Sequence, residues 1–191
     1  MMIIKENGCV YIAQRAWTCI LQGHADNEWP LLEENACLWK VPNEDDIIVA
    51  LEGKNSFFIS DLMRYEPDLI RGELTLDKLV LEFIPDLKDI LTEYGKLNKK
   101  ENMKTQIVFA QKDRAFVITG TFNCNEVEEF ETVGRFADIS SSALYHGKGL
   151  ASEERFRFSA RTLEQITGAN EFPLLAINTK TCKPYLIQRK D

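Results

Sequence analysis

The chain has 191 residues, of which 45% are hydrophobic and 28% are charged, and a formal net charge of −7 at pH 7. That length and composition predict one globular domain over residues 1–191. The acidic balance argues against a nucleic-acid partner, which usually needs a basic face, and no apolar run approaches the roughly 18 residues of a membrane span.

The cysteines and histidines indicate a compartment and give no sign of a metal site. The five cysteines are widely spaced and form no Cys-x-x-Cys pair, which favours reduced thiols in the cytoplasm. His24 and His146 are the only histidines, too few for a histidine-rich metal centre. Neither a metal nor another cofactor is predicted.

Short strands are predicted in the first fifty residues. The turn signal Asn7-Gly8 separates an apolar run at Ile3-Ile4 from a second run over 9–13. This pattern predicts a β-hairpin, because both central residues of such a turn need a positive φ. Further strands are predicted over 17–22, 36–41 and 47–51.

The clearest helix is predicted over 76–94, where apolar residues recur at the three-and-four spacing of one buried face. Thr75 is its expected N-cap, and Pro85 is expected to kink it or split it. A shorter helix is predicted over 56–65. The second half of the chain predicts a hairpin over 106–119, a weaker strand over 127–132, helices over 138–145 and 152–166, and closing strands over 173–178 and 184–189.

The order of these elements is strands, two helices, strands, two helices, strands. That order predicts an α+β fold in which two antiparallel sheets pack face to face, with a pair of helices on each outer face. The expected architecture is therefore a four-layer αββα sandwich.

Several segments resemble the proteasome β-type and HslV-like family of N-terminal-nucleophile (Ntn) hydrolases. Their order and spacing carry the resemblance over nearly the whole chain. The segments are the opening hairpin, Leu38-Trp39-Lys40-Val41 before the strand at 47–51, Gly72-Glu73-Leu74-Thr75 before the long helix, the hairpin within 106–118, and Val133-Gly134 followed by Ala143-Leu144.

The resemblance implies a specific catalytic arrangement. A nucleophile at the exposed N-terminus uses its own α-amine as general base, a lysine lies beside the nucleophile, an aspartate orients that lysine, and a Gly-x-Gly segment stabilises the oxyanion. The matching positions in this chain are Met2 for the nucleophile, Gln14 for the aspartate, Cys37 for the lysine and Gly134 for the Gly-x-Gly segment.

These positions do not carry the chemistry that the resemblance implies. A methionine thioether at residue 2 cannot attack a carbonyl, and the amide of Gln14 carries no negative charge. The glycine segment reads Gly134-Arg135-Phe136, without its second glycine. A different register would bring Lys40 to the lysine position.

These departures predict a catalytically degenerate protein, a pseudoenzyme that acts as a scaffold or binding module. The resemblance also implies a homo-oligomer, for which the segment 79–94 offers an apolar surface. Two alternatives stay open. One is an active peptidase or amidohydrolase with an atypical nucleophile, such as Cys9 exposed by cleavage after Gly8, or a serine or threonine elsewhere. The other is a protein that binds a peptide or small molecule in the vacated cleft near Met2, Gln14 and Cys37.

Overall fold

The computed structural model describes residues 1–16, 37–41 and 46–190. The predicted strand over 17–22 and His24 lie outside these residues. Ten strands form within the described part of the chain. They are β1 (Met2–Glu6), β2 (Cys9–Arg15), β3 (Leu38–Lys40), β4 (Ile48–Gly53), β5 (Thr105–Gln111), β6 (Arg114–Ile118), β7 (Cys124–Glu126), β8 (Phe130–Thr132), β9 (Leu174–Asn178) and β10 (Tyr185–Ile187).

Two pairs of helices accompany the strands, in the predicted order. The first pair is α1 (Ser56–Tyr65) and α2, which runs from Leu76 to Glu93; the second pair is α3 (Ala137–His146) and α4 (Ser152–Thr167). A short 3-10 helix, Pro67–Ile70, follows α1.

Helix α2 shows how the chain accommodates a proline inside a helix. It consists of an α-helical turn (Leu76–Lys78), a π-helical segment (Leu79–Phe83) and an α-helix (Ile84–Glu93). Pro85 has no N–H to donate to a helical hydrogen bond. Next to it the helix uses the wider π-type spacing, in which the N–H of Ile84 donates to the carbonyl of Leu79, five residues earlier. The helix is not split at Pro85, where the hydrogen-bond spacing changes instead. The Thr75 cap is confirmed, because its hydroxyl accepts from the N–H of Lys78 at 3.2 Å.

The strands form two five-stranded antiparallel sheets. Sheet A has the order β10-β9-β2-β1-β8, and sheet B has the order β3-β4-β5-β6-β7. The opening hairpin lies in the middle of sheet A, with Asn7 at φ 52° and Gly8 at φ 70° in its turn. Its register places Met2 opposite Ala13.

Alternating side chains build three apolar layers. Along β4, Ile48 and Ala50 pack between the two sheets, whereas Val49 and Leu51 pack against α1 and α2. A third layer lies between sheet A and the second helix pair, where Phe156 is fully buried. The predicted four-layer αββα sandwich is confirmed, and β4 is covered on both faces as its apolar run predicts.

One local prediction is only partly right. Of the strand expected over 127–132, only β8 forms, and Val127 is instead buried between the sheets; β7 lies before this range and belongs to the other sheet. Helices α3 and α4 have no side-chain N-cap, since Phe136 and Ala151 occupy the N-cap positions and neither caps through its side chain. The carboxylate of Glu6 instead accepts from the N–H of Ser152 at 3.2 Å. A side chain of β1 therefore provides the hydrogen bond for a backbone N–H in the first turn of α4.

Candidate functional site

A cleft of about 220 Å³ opens at the end of sheet A where β1 begins and β2 ends. Its other walls come from β4, from the segment between β8 and α3, from α4 and from the residues that precede β9. Of the four positions predicted from the sequence, Met2, Gln14 and Gly134 line this cleft. The fold therefore gathers most of the predicted site in one place.

The first residue lies inside the sheet ladder. The amino nitrogen of Met1 donates to the carbonyl of Val133 at 2.8 Å, and the N–H of Val133 donates to the carbonyl of Met1 at 2.9 Å. This reciprocal pair extends the β1–β8 ladder by one residue. Burial lowers the pKa of the Met1 amine, and the carboxylates of Glu52 and Glu171 act in the opposite direction.

Met2 and Gln14 are both buried at the floor of the cleft. Met2 is 4% exposed, lies between Ala13 and Thr132 in the sheet, and belongs to the apolar layer beneath the second helix pair. Gln14 is 2% exposed and lies opposite Leu175. The residue at the nucleophile position is thus a core side chain whose thioether cannot attack a carbonyl.

Cys37 lies elsewhere. It is buried directly before β3, and its carbonyl accepts from the N–H of Leu51 at 2.8 Å. Lys40, the alternative at this position, is an exposed residue whose Nζ lies 2.9 Å from Asp46. Neither Cys37 nor Lys40 is among the described residues that line the cleft.

The backbone conformation and the neighbouring Glu52 side chain favour glycine at position 134. Its φ is +111°, and a Cβ at this position would lie 3.2 Å from Oε1 of Glu52. Side chains other than hydrogen strain such a backbone. The next residue, Arg135, is exposed, and its guanidinium lies 5.3 Å from the ring centroid of Phe136.

Three charged residues of the cleft were missed by sequence reasoning: Arg15, Glu52 and Glu171. Nε of Arg15 lies 3.4 Å from Oε2 of Glu171, and its Nη2 donates to the carbonyl of Asn170 at 2.8 Å. Oε2 of Glu52 lies 4.0 Å from the Met1 nitrogen. The sequence gives only a weak signal, since each of these residues ends or precedes a strand and they are distant from one another in the chain.

Glu171 is the most unusual of the three. Its side chain is 6% exposed, and among the residues that the structure describes, none gives its Oε1 a hydrogen bond. Burial raises the pKa of this carboxyl group, and the neighbouring Arg15 opposes that shift. A buried carboxylate oxygen without a donor is costly unless something else supplies one.

The alternative nucleophiles lie in different surroundings. Cys9 is at the opposite end of the hairpin from the cleft, and its Sγ lies 3.5 Å from the hydroxyl of Thr179. Ser140 lines the cleft and is buried in the first turn of α3. Among the described residues no strong base is seen bonded to either side chain.

Within residues 1–16, 37–41 and 46–190, no group of three or more His, Cys, Asp or Glu side chains could hold a metal ion. Nδ1 of His146 lies 2.8 Å from the carbonyl of Ser142. No helix in the described chain has the length and apolar character needed to cross a bilayer.

The comparisons with known proteins identify the fold. No family model and no curated protein matches the chain. Among solved structures, Thiobacillus denitrificans BPH in complex with epoxomicin is similar at 18% identity with a TM-score of 0.65, over 93% of this chain and 96% of that chain. Eukaryotic HslV from Trypanosoma brucei is similar at 13% identity and a TM-score of 0.61, over 93% and 97% of the two chains.

Anbu (ancestral beta-subunit) from Yersinia bercovieri is similar at 12% identity and a TM-score of 0.65, over 98% of this chain and 86% of that chain. The protein therefore has the proteasome-like Ntn-hydrolase fold, as the resemblance in its sequence predicts. Identities this low carry the fold alone, so the activity has to be argued from the residues of this chain.

Proposed function

We propose that this protein is a catalytically degenerate protein of the proteasome-like fold that acts as a scaffold or binding module. One observation carries the proposal. Met2, at the position that matches the family's nucleophile, is a buried thioether, and the residue before it is held in the sheet by its pair of hydrogen bonds with Val133. A nucleophile at this position needs a hydroxyl or a thiol, and Met2 has neither.

The other family positions support the same proposal. Gln14 cannot supply the negative charge that would orient a lysine, and Lys40 is engaged with Asp46 away from the cleft. The glycine segment continues with Arg135 and Phe136, whose side chains narrow the approach of a substrate backbone. A hydrolase would have to replace all of these groups from other parts of the chain.

The geometry opposes Cys9 as a processed nucleophile. Cleavage after Gly8 would detach β1, which pairs with β2 on one side and β8 on the other. Sheet A would then be divided in its middle. The same cleavage would remove Ile3 and Ile4 from two apolar layers, so the product would lose much of its core.

We also propose that the chain assembles with itself through the outer face of α2. The sequence-based expectation for the segment 79–94 needs revision, because the face made by Leu79, Phe83, Leu87 and Leu91 is buried against the chain's own sheet B. The apolar side chains that remain exposed are Leu76, Val80 and Leu81 on α2 and Tyr94 directly after it. Exposed apolar patches of this kind are typical of interaction surfaces.

The proposed compartment is the cytoplasm. Cys9, Cys124 and Cys182 are free thiols, and burial raises the pKa of Cys124 and of Cys182 to about 11. Thiols in this state are protonated at neutral pH, which suits structural residues of a reducing compartment.

Two measurements test the proposal. The purified chain should release no product from a mixed library of fluorogenic peptides, whereas turnover that survives purification and disappears in a Cys9→Ala variant would establish a hydrolase. Light scattering should give the mass of an oligomer for the native chain and of a monomer for Leu81→Glu. Ile166→Glu, which adds the same charge on the exposed face of α4, is the control and should leave the oligomer intact.

A further inference from the structure

Two carboxylates, those of Glu52 and Glu171, line the cleft beside three cationic groups, the Met1 amine, Arg15 and Arg135. Among the described residues, none donates a hydrogen bond to Oε1 of Glu171. The side chain of Glu52 is 30% exposed, and its Oε2 lies 4.0 Å from the Met1 nitrogen. Both side chains line the same cleft, and that of Glu171 is more than nine-tenths buried. Such acceptors are normally satisfied by a donor.

The cationic groups around these carboxylates contact other atoms. Arg15 lies against the other oxygen of Glu171 and the carbonyl of Asn170. The Met1 nitrogen donates to the carbonyl of Val133. Arg135 is exposed at the rim and lies over Phe136. None of these cationic groups donates a hydrogen bond to Oε1 of Glu171.

A further carboxylate adds to the negative charge behind Glu171. Oε1 of Glu164 accepts from the N–H of Glu171 at 3.0 Å, and its Oε2 lies 3.4 Å from Arg189. Burial has the largest effect and raises the pKa of Glu171; Arg15 and the Met1 amine lower it, and Glu164 and Glu52 add smaller upward effects. A positively charged donor beside Glu171 would offset these repulsions.

Part of the remaining wall is apolar. Met2, Phe136, Leu163 and Leu174 line the cleft together with the carboxylates. The volume of the cleft is about 220 Å³. That space suits a short hydrocarbon stem that ends in a hydrogen-bonding head.

We propose that this cleft binds an aliphatic cation that carries N–H donors, a primary alkylammonium or alkylguanidinium group, with its head between Glu171 and Glu52 and its stem against the apolar wall. The proposal rests on the proposed function, because a binding module keeps the cleft for a ligand and not for a nucleophile. It adds the chemical class of that ligand.

The test uses four five-carbon probes that differ only in the head group: n-pentylamine, n-pentyltrimethylammonium, pentan-1-ol and pentanoate. Binding to the full chain is followed by two-dimensional NMR, with chemical-shift changes read at the cleft residues. Pentylamine should bind saturably and at least about tenfold more tightly than each of the other three, since a charge-assisted hydrogen bond contributes that much.

Variants locate the binding groups. Glu171→Gln and Glu52→Gln should each weaken pentylamine binding by about tenfold or more. Glu128→Gln removes the same charge from an exposed site outside the cleft and should leave binding unchanged. The folded state of each variant is checked by its own spectrum.

Three outcomes would overturn the inference. Equal binding of pentylamine and the trimethylammonium probe would mean that N–H donors do not matter. Tighter binding of pentanoate would assign the cleft to an anion held by Arg135. The absence of saturable shifts with every probe would mean that water alone satisfies the acceptors. None of these results would make the chain a hydrolase, whose test is the separate peptide-release measurement.

Discussion

The two ends of the opening hairpin differ in how completely their polar groups are satisfied. At the turn end, the hydroxyl of Thr179 accepts from the N–H of Val10 at 3.0 Å and donates to the carbonyl of Lys112. At the cleft end, Oε1 of Glu171 accepts no hydrogen bond from the described residues, and the partly exposed carboxylate of Glu52 lies 4.0 Å from the Met1 nitrogen. The polar groups at the turn end are therefore paired within the protein, whereas a buried carboxylate oxygen at the cleft end has no partner among the described residues.

This contrast indicates where stability and function lie. Satisfied buried polar groups fix a structure, while unsatisfied groups are tolerated chiefly where a ligand or water completes them. Substitutions at the turn end should therefore cost mostly stability. Substitutions at the cleft end should cost less stability and more binding.

The largest effect is expected at the turn end, for Thr179→Val. The change keeps the shape but leaves the N–H of Val10 and the carbonyl of Lys112 without their partner, so the free energy of unfolding should fall by about 2–4 kcal/mol. Urea unfolding followed by circular dichroism measures it. Thr179→Ser should recover most of the loss, and Thr92→Val on an exposed helix face should cost little. A loss below about 0.5 kcal/mol would contradict the assignment of Thr179.

A smaller effect is expected at the cleft end, for Arg15→Met. Removing the guanidinium leaves the buried Glu171 carboxylate without its ion pair, but Arg15 is itself 40% exposed, so solvent screens part of the interaction. The expected loss is about 1–2 kcal/mol at neutral pH. The double variant Arg15→Met/Glu171→Gln should be more stable than Arg15→Met alone, because the unpaired buried charge is gone. If the double variant is the less stable one, the pair does not behave as described.

Comparison of Gly134→Ala with Gly149→Ala isolates the contact with Glu52. Both glycines have a positive φ, of +111° and +95°, but only Gly134 has an atom within 4 Å of its missing Cβ. Each substitution should cost about 1–2 kcal/mol through the backbone. Gly134→Ala should cost up to about 1 kcal/mol more because the Glu52 side chain must move. Equal losses in urea unfolding would mean that Glu52 moves freely.

The pH dependence of stability gives the smallest expected effect. Burial raises the pKa of Glu171 in the folded state, so its contribution to stability is fully present below the unfolded-state pKa and is lost as pH rises through the folded pKa. Glu171→Gln removes this loss. The stability of Glu171→Gln relative to the native chain should therefore increase as pH rises from 4 to 7, whereas that of the exposed control Glu128→Gln should stay nearly constant. If the stability difference between Glu171→Gln and the native chain did not change with pH, the raised pKa of Glu171 would be contradicted.

Much of the fold could be predicted because its signals are local. The Asn7-Gly8 turn, the bounds of α1 and the apolar run of β4 each depend on neighbouring residues, and each is confirmed. The bounds of β7 and β8 could not be read this way, because short edge strands with many exposed acids give no clear period.

The candidate site was only partly predictable for the same physical reason. Met2, Gln14 and Gly134 were located through the resemblance, because the opening hairpin and the segment after β8 match the family's pattern. Arg15, Glu52 and Glu171 come together only through the packing of both sheets, so no spacing in the sequence indicates their contact. Cys37 was placed by counting back from Leu38, and the structure keeps it at the start of β3, away from the cleft.

The most direct test of the central claim is the intact mass of the purified protein before and after incubation with epoxomicin, the compound bound in the similar BPH structure. BPH itself serves as the positive control. The account predicts a mass that includes Met1 and is unchanged by the compound. A truncated N-terminus, or one epoxomicin bound covalently per chain, would contradict it and would identify the nucleophile by peptide mapping.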